Sequence, residues 1–426
     1  MKKTVPIEEQ PSGTSSKVWG RLQTFQALQY RDFRLLWIGL IVSSVGTWMQ
    51  IIAQSLLVLK ITHGSALALG IVSLAQATSF FLFSLPGGYI ADRIDKRRLL
   101  LCTQSMSMLL AFLYAFLTYV GVIQVWMIVL LAFCSGTILS FDQPTRSALV
   151  PVLVPRANLM NAISLQSIIF NGASVFGPAL AGVTIGLIGY AGNFFLNGVS
   201  YLGVLVALYV MRVPEEAAKQ SMERRGSLFS SVRAALGAVR RDVALPWILS
   251  GYAALLFFGP SSSLILPVFA TQILHLSAFQ LGLLFAAAGI GTVVGALTIA
   301  SLGDFKYKGA LLLVSFFLWV GALFLFGISR YFWFSIFALF LFGMSQNGVG
   351  ATTITLMQTR VAPQMRGRVM SLNTLLVMGV RPLGDFAAGG LITLVGAPPT
   401  VIISASIVGL YTLFLLLARP AVRTLT

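Results

Sequence analysis

The feature that most constrains this chain is a train of apolar runs, each about 20 residues long, that follow one another almost without pause between residues 33 and 418. A run of that length lets an α-helix cross the hydrocarbon core of a bilayer, where no water is present to satisfy exposed backbone N–H and C=O groups. Charged residues make up 10% of the sequence, against about a quarter in a soluble domain. The chain reads as an all-α membrane protein with twelve transmembrane helices. Among the expected spans are 122–141 (the fourth), 162–185 and 194–211 (the fifth and sixth), 245–273 (the seventh) and 369–395 (the eleventh).

The loops set an orientation. Of the 29 Lys and Arg, 26 fall in the tails and even-numbered loops, and only Lys60 and Arg330 fall in the odd-numbered ones. Under the positive-inside rule, this places both termini in the cytoplasm. It also accounts for the net charge of +17 without nucleic acid, because the basic residues do not gather on one domain face. The N-terminal stretch has no short apolar core with a cleavage site, so removal of a signal peptide is not expected. Cys102 and Cys134 both fall inside apolar runs and read as packing residues, with neither disulfide nor metal spacing.

The chain divides into a tail (1–32), a six-helix bundle (33–211), a polar linker (212–244), a second six-helix bundle (245–418) and a short tail (419–426). In the linker, Leu228, Val232, Leu236 and Val239 share a helical face, which suits either a helix in the lipid headgroups or a solvated connector. The bundles repeat each other. A shift of 212 aligns His63 with His275, Ser65 with Ser277, Gly70 with Gly282 and Asp92 with Asp304; a shift of 208 aligns Gly182 with Gly390. Parallel repeats of this kind are typical of transporters that bind substrate between two halves near the membrane midplane.

The charged turn Gly88-Tyr-Ile-Ala-Asp92-Arg93-Ile-Asp95-Lys96-Arg97-Arg98 lies between the second and third apolar runs. It resembles the signature loop of the major facilitator superfamily, with Asp95 where that pattern prefers glycine. FRLLWIG (33–39), GTWMQ (46–50) and PTRSALVPVLVP (144–155) resemble the bacterial branch that contains enterobactin exporters and macrolide efflux pumps. The resemblance implies a pseudo-symmetric twelve-helix fold in the bacterial inner membrane, working as a monomer without a cofactor. It also implies a conformational latch made by Gly88, Asp92, Arg93, Lys96 and Arg97, with Asp304 in the second copy. Asp142, at the end of the expected fourth span, is the acid placed to meet a basic residue of that loop.

Gly172, Gly177, Pro178 and Gly182 resemble the Gly-Pro motif found in the fifth span of exporters, which implies a kinked, tightly packed helix. Drug antiporters similar to this branch carry an Arg in the fourth span, and 122–141 has none.

Two constellations stand on chemistry alone. Asp385 is the one acid expected deep in the membrane, one turn after Arg381; the two read either as a proton-coupling site or as a self-neutralising buried pair. Ser43, Thr47, Gln50 and Gln54 share one face of the first span, and such a stripe avoids lipid by lining a cavity or bonding to another helix. Asn171, Gln346, Asn347 and Asn373 are further candidates for cavity lining. No nucleotide-binding or metal-binding motif is present, so neither an ATP-driven pump nor an enzyme is expected. The function expected is proton-coupled export of a small amphiphilic molecule such as a siderophore or antibiotic. Alternatives are an importer or lysophospholipid flippase of the same fold, or a non-transporting sensor or scaffold.

Overall fold

The computed structural model describes residues 23–211, 228–303, 305–362, 365–423 and 425. Among these, eleven helical segments are long and apolar enough to cross a membrane. The helices of the first part are α1 (Arg31–Ile61), α2 (Ala66–Arg93), α3 (Lys96–Val120), α4 (Val125–Leu153) and α5 (Leu159–Val210). After the linker come α6 (Leu228–Arg241), α7 (Leu245–Phe258), α8 (Ser262–Gln272), α9 (Ala278–Leu302), α10 (Lys308–Ile328) and α11 (Phe332–Thr359). Then follow α12 (Arg366–Leu375), a π-helical turn (Leu376–Val380), α13 (Arg381–Val395), α14 (Ala397–Ala418) and α15 (Pro420–Arg423). Large apolar side chains such as Phe116, Leu187 and Leu417 stand exposed on the outer surface, as lipid-facing groups do.

The expected fifth and sixth spans form one assigned helix, α5, bent at Gly189, whose φ of 71° few residues but glycine adopt. Its two arms run in opposite directions. Along α1, Trp37 bonds Leu165 and Trp48 faces Gly177, whereas Gly39 faces Gly203 and Gln50 bonds Asn197. One arm is therefore parallel to α1 and the other antiparallel. The reversal at Gly189 falls between the expected fifth and sixth spans, and Pro178 lies within the first arm, where the backbone keeps helical φ/ψ.

The seventh span is interrupted between α7 and α8. Pro260 has no N–H to continue the ladder, and Ser261 starts α8 by accepting a hydrogen bond from the Leu264 N–H at 3.3 Å. The π turn in the eleventh span ends just before Arg381-Pro382, where the proline ring would clash with the carbonyl four residues back in a regular helix. In the fourth span, Pro144 and Pro151 are absorbed within α4, which runs twelve residues beyond the expected end at 141.

Aligned positions of the sequence repeat take the same local form. His63 and His275 both have positive φ, at 53° and 49°, and Ser65 and Ser277 each cap the helix that follows. The helix contacts repeat as well. A Cβ on Gly70 would lie 2.8 Å from Phe386 Cα, and one on Gly282 would lie 2.9 Å from Ala179 Cα. Likewise, one on Gly389 would lie 2.7 Å from the Ala66 carbonyl, and one on Gly182 would lie 2.6 Å from Phe279 Cα. These approaches hold α2 to α13 and α5 to α9, all near the end of the molecule that carries the α1–α2 turn. Two cross-links share that end: Gln272 Nε2 donates to the Gly64 carbonyl at 2.6 Å, and Ser55 Oγ to the Ser263 carbonyl at 3.3 Å.

The linker helix α6 packs against α12, with Ala235 and Val239 buried and Leu236 exposed. Of the apolar face expected on this helix, Val239 is buried and Leu236 is exposed; the side chains of Leu228 and Val232 lie outside the described residues. Asp242 ties this corner together. Its carboxylate accepts from the N–H groups of Ala244 (2.8 Å) and Leu245 (2.9 Å) and from Arg360 Nε (2.8 Å). Partial burial pushes the Asp242 carboxyl up, but these hydrogen bonds and the Arg360 charge outweigh it and hold the group below its usual value. Its stabilisation is therefore complete above the ordinary Asp value of about 3.9 and is lost as pH falls through the lower folded value. We expect Asp242→Ala to cost about 1 kcal/mol in detergent unfolding at pH 7. The difference from wild type should shrink below about pH 4; a difference independent of pH would contradict this assignment.

Candidate functional site

The helices enclose a cavity of about 360 Å³. It begins beside the cross-linked end, near Leu69 and Leu264, and extends towards Asp142 and Arg146. Helices α1–α5 supply all but four lining residues; Ser261, Ser263, Leu264 and Asp385 come from the second part of the chain. Seventeen of the 26 lining residues carry Ser, Thr, Gln, Tyr or charged side chains, so polar groups are set at many points into a wall whose exposed area is mostly apolar.

The stripe of α1 lies on this wall. Ser43, Thr47, Gln50 and Gln54 all line the cavity, and the same face bonds its neighbours. Gln50 Oε1 accepts from Asn197 Nδ2 at 2.5 Å, and the Thr47 hydroxyl lies 3.3 Å from the Tyr201 hydroxyl. The two readings of the stripe thus coexist on one helix. Asn171, Gln346, Asn347 and Asn373 lie off the cavity wall. Asn171 is exposed and donates to the Ser167 carbonyl of its own helix at 2.9 Å.

Asp142 does not have a signature-loop cation as its ionic partner. It pairs with Arg146, one turn later on α4, and accepts from Thr103 Oγ1 (2.9 Å) and Gln104 Nε2 (2.7 Å). Arg146 lies beyond the end at 141 that the apolar run gives the fourth span, so the sequence did not mark it as an intramembrane residue. The i, i+4 spacing of Asp142 and Arg146 was the available signal that the helix continues through the proline. The fourth span therefore does carry an arginine, contrary to the expectation from 122–141.

Of the two readings of Asp385, the close pair with Arg381 is not formed. No ion pair joins it to Arg381 within 4.0 Å among the described residues. Its carboxylate instead accepts the backbone N–H of Ser261 at 2.8 Å, at the helix break, and the Ser73 hydroxyl of α2 at 3.3 Å. A carboxylate at a helix N-terminus is favoured by the dipole and by the unsatisfied N–H groups there. The guanidinium of Arg381 still acts on Asp385 through its charge, from beyond hydrogen-bonding distance. Arg381 Nε is buried without a hydrogen-bond partner.

In the signature turn, the side chain of Asp92 and all of Asp304 lie outside the described residues. Asp95 caps α3, accepting from the Arg98 N–H at 2.7 Å. Arg97 donates to the carbonyls of Leu208 (2.5 Å) and Tyr209 (2.6 Å), the orphan acceptors at the C-terminus of α5. Arg93 stacks on the Tyr89 ring at 4.0 Å, Lys96 is buried, and a Cβ on Gly88 would meet nothing within 4 Å. In the fifth-span motif, Gly177 presses on α1 and Gly182 on α9, whereas Gly172 faces open space.

Arg146→Ala leaves the Asp142 charge buried without its ion partner, and we expect a loss of about 3–5 kcal/mol in stability. The neutral double variant Asp142→Asn/Arg146→Gln should recover most of it. Thermal unfolding in detergent decides the matter, and a double variant no more stable than Arg146→Ala would exclude the pairing as the cause.

Comparison with known proteins agrees with this geometry. Residues 22–424 match the family model described as transmembrane secretion effector. The chain is 28% identical over 386 residues to an enterobactin exporter of Citrobacter koseri, covering 88% of each protein. It is 25% identical over 348 residues to the staphyloferrin A transporter of Staphylococcus aureus, covering 80% of this chain and 84% of that one. Among solved structures, a nucleoside transporter superposes with a TM-score of 0.70 at 12% identity, over 91% of this chain and 98% of the other. An inward-facing bacterial homologue of the iron transporter ferroportin gives 0.63 at 17% identity, over 90% and 98%. The chain therefore belongs to the transmembrane secretion effector family of the major facilitator superfamily and is a multi-pass membrane transporter of small molecules, not an enzyme.

Proposed function

We infer that this protein is a proton-coupled exporter of small amphiphilic molecules in the bacterial inner membrane, acting as a monomer with both termini in the cytoplasm. Two six-helix halves, 33–211 and 245–418, rock about the cavity between them. The opposed arms of α5 support twelve crossings: at about 1.5 Å per residue, 52 residues exceed twice the thickness of the hydrocarbon core. The observation that carries the reading is the asymmetric closure of the cavity. The glycine contacts and hydrogen bonds between the halves cluster at the α1–α2 end, and the Lys- and Arg-rich turns occupy the other. With the basic end cytoplasmic, the cavity faces inward, ready to load cargo from the cell.

In this inward-facing arrangement Arg97 and Arg93 are engaged within their own half. We take the signature turn as the latch that forms when the inner end closes, with Asp92 as its acid. Asp385 is the acid best placed to carry the proton, because it is buried, contacts both halves and has no ion-pair partner among the described residues.

Inside-out vesicles with an imposed pH gradient should accumulate cargo found to be exported by cells that make the protein, and a protonophore should abolish the uptake. Uptake indifferent to the gradient would exclude proton coupling. Asp385→Asn should reduce gradient-driven accumulation at least 10-fold. Asp92→Asn should nearly abolish transport while membrane insertion stays normal, and near-wild-type transport by that variant would remove the latch.

A further inference from the structure

The wall of the cavity holds hydrogen-bonding groups that the protein does not use. The amides of Gln54 and Gln76 and the hydroxyls of Ser44, Ser107 and Ser135 line the cavity, and none makes a side-chain hydrogen bond to another described residue. Other wall groups are already engaged, as Gln50 is with Asn197 and Gln104 with Asp142. Among the described residues, aromatic lining is limited to Trp48 and Tyr201, and no phenylalanine lines the cavity. The abundance of phenylalanine in the sequence therefore says nothing about the cargo.

The charges on the wall are unbalanced. Arg146 is the one cation there and is already paired with Asp142, whose oxygens accept two further hydrogen bonds. Asp385 is 4% exposed and holds only uncharged donors, a backbone N–H and a hydroxyl. Arg381, one turn earlier, acts on Asp385 from beyond 4.0 Å and does not line the cavity, so the wall presents a carboxylate with no close ion-pair partner among the described residues beside five unused amides and hydroxyls. A polycarboxylate placed there would face two acids and find no free cation on the wall. A molecule with an amine would complete the charge of Asp385, and its hydroxyl or amide groups would satisfy the unused bed.

Resting on the transporter reading above, we propose that the cavity binds amine-bearing, hydroxyl- or amide-rich small molecules and discriminates against polycarboxylates. Asp385 is the ionic contact, and Gln54 and Gln76 are the principal hydrogen-bonding contacts. The α1–α5 half thereby holds the body of the cargo, and the second half contributes its charge partner.

The test is equilibrium binding to the purified full chain, read as the shift in thermal unfolding, with 2-deoxystreptamine and glucosamine set against citrate and tricarballylate. The amines should raise the unfolding temperature and the polycarboxylates should not. Asn at position 385 can still accept the Ser261 N–H, so Asp385→Asn should fold yet weaken amine binding at least 10-fold. Gln54→Leu and Gln76→Leu should each weaken it severalfold. Polycarboxylates that stabilise as strongly as the amines, amines that do not stabilise at all, or amine binding unchanged in all three variants would overturn the assignment. Because this measurement needs no gradient, its failure is separate from a failure of the vesicle experiment, which bears on transport itself.

Discussion

Helices in a bilayer gain nothing from burying apolar surface against each other, since lipid tails are equally apolar, so association relies on close packing and hydrogen bonds. In this protein many glycines meet that constraint, four of them at the contacts between the two parts of the chain near the α1–α2 turn. Gly70, Gly182, Gly282 and Gly389 let α2 meet α13 and α5 meet α9 at backbone contact distance. A side chain at any of them would push the two halves apart where they are closed. These four contacts lie at one end, and the cavity lies beside them, extending towards Asp142 and Arg146.

The repeat shows how function departs from symmetry. Gly177 and Asp385 occupy equivalent positions under the 208-residue shift, and Met49 and Ser261 under the 212-residue shift. In the first half α1 continues unbroken past Met49, and Gly177 makes room for it. In the second half Pro260 interrupts the helix, and Asp385 takes up the N–H that the break releases. A carboxylate that would be costly inside the membrane is thereby stabilised by a local backbone defect, and the pair places a charge on the cavity wall.

The opposite end of the molecule follows a different logic. There the basic residues satisfy helix termini: Arg97 covers the last carbonyls of α5, and Arg360 joins Asp242 at the start of α7. Each contact lies within one half or its attached linker.

The sequence by itself determined the fold class, the membrane environment and the internal repeat, because the apolar runs, the loop charges and the matched residues around His63 and His275 are local patterns. It also picked out the polar face of α1, since helical spacing alone puts Ser43, Thr47, Gln50 and Gln54 in line. Tertiary structure decided the partners. Asp142 with Arg146 and Asp385 with Ser261 depended on whether a helix continues through Pro144 or breaks at Pro260, and proline permits both outcomes. At Pro260 the break is accompanied by Asp385, which accepts the freed N–H of Ser261.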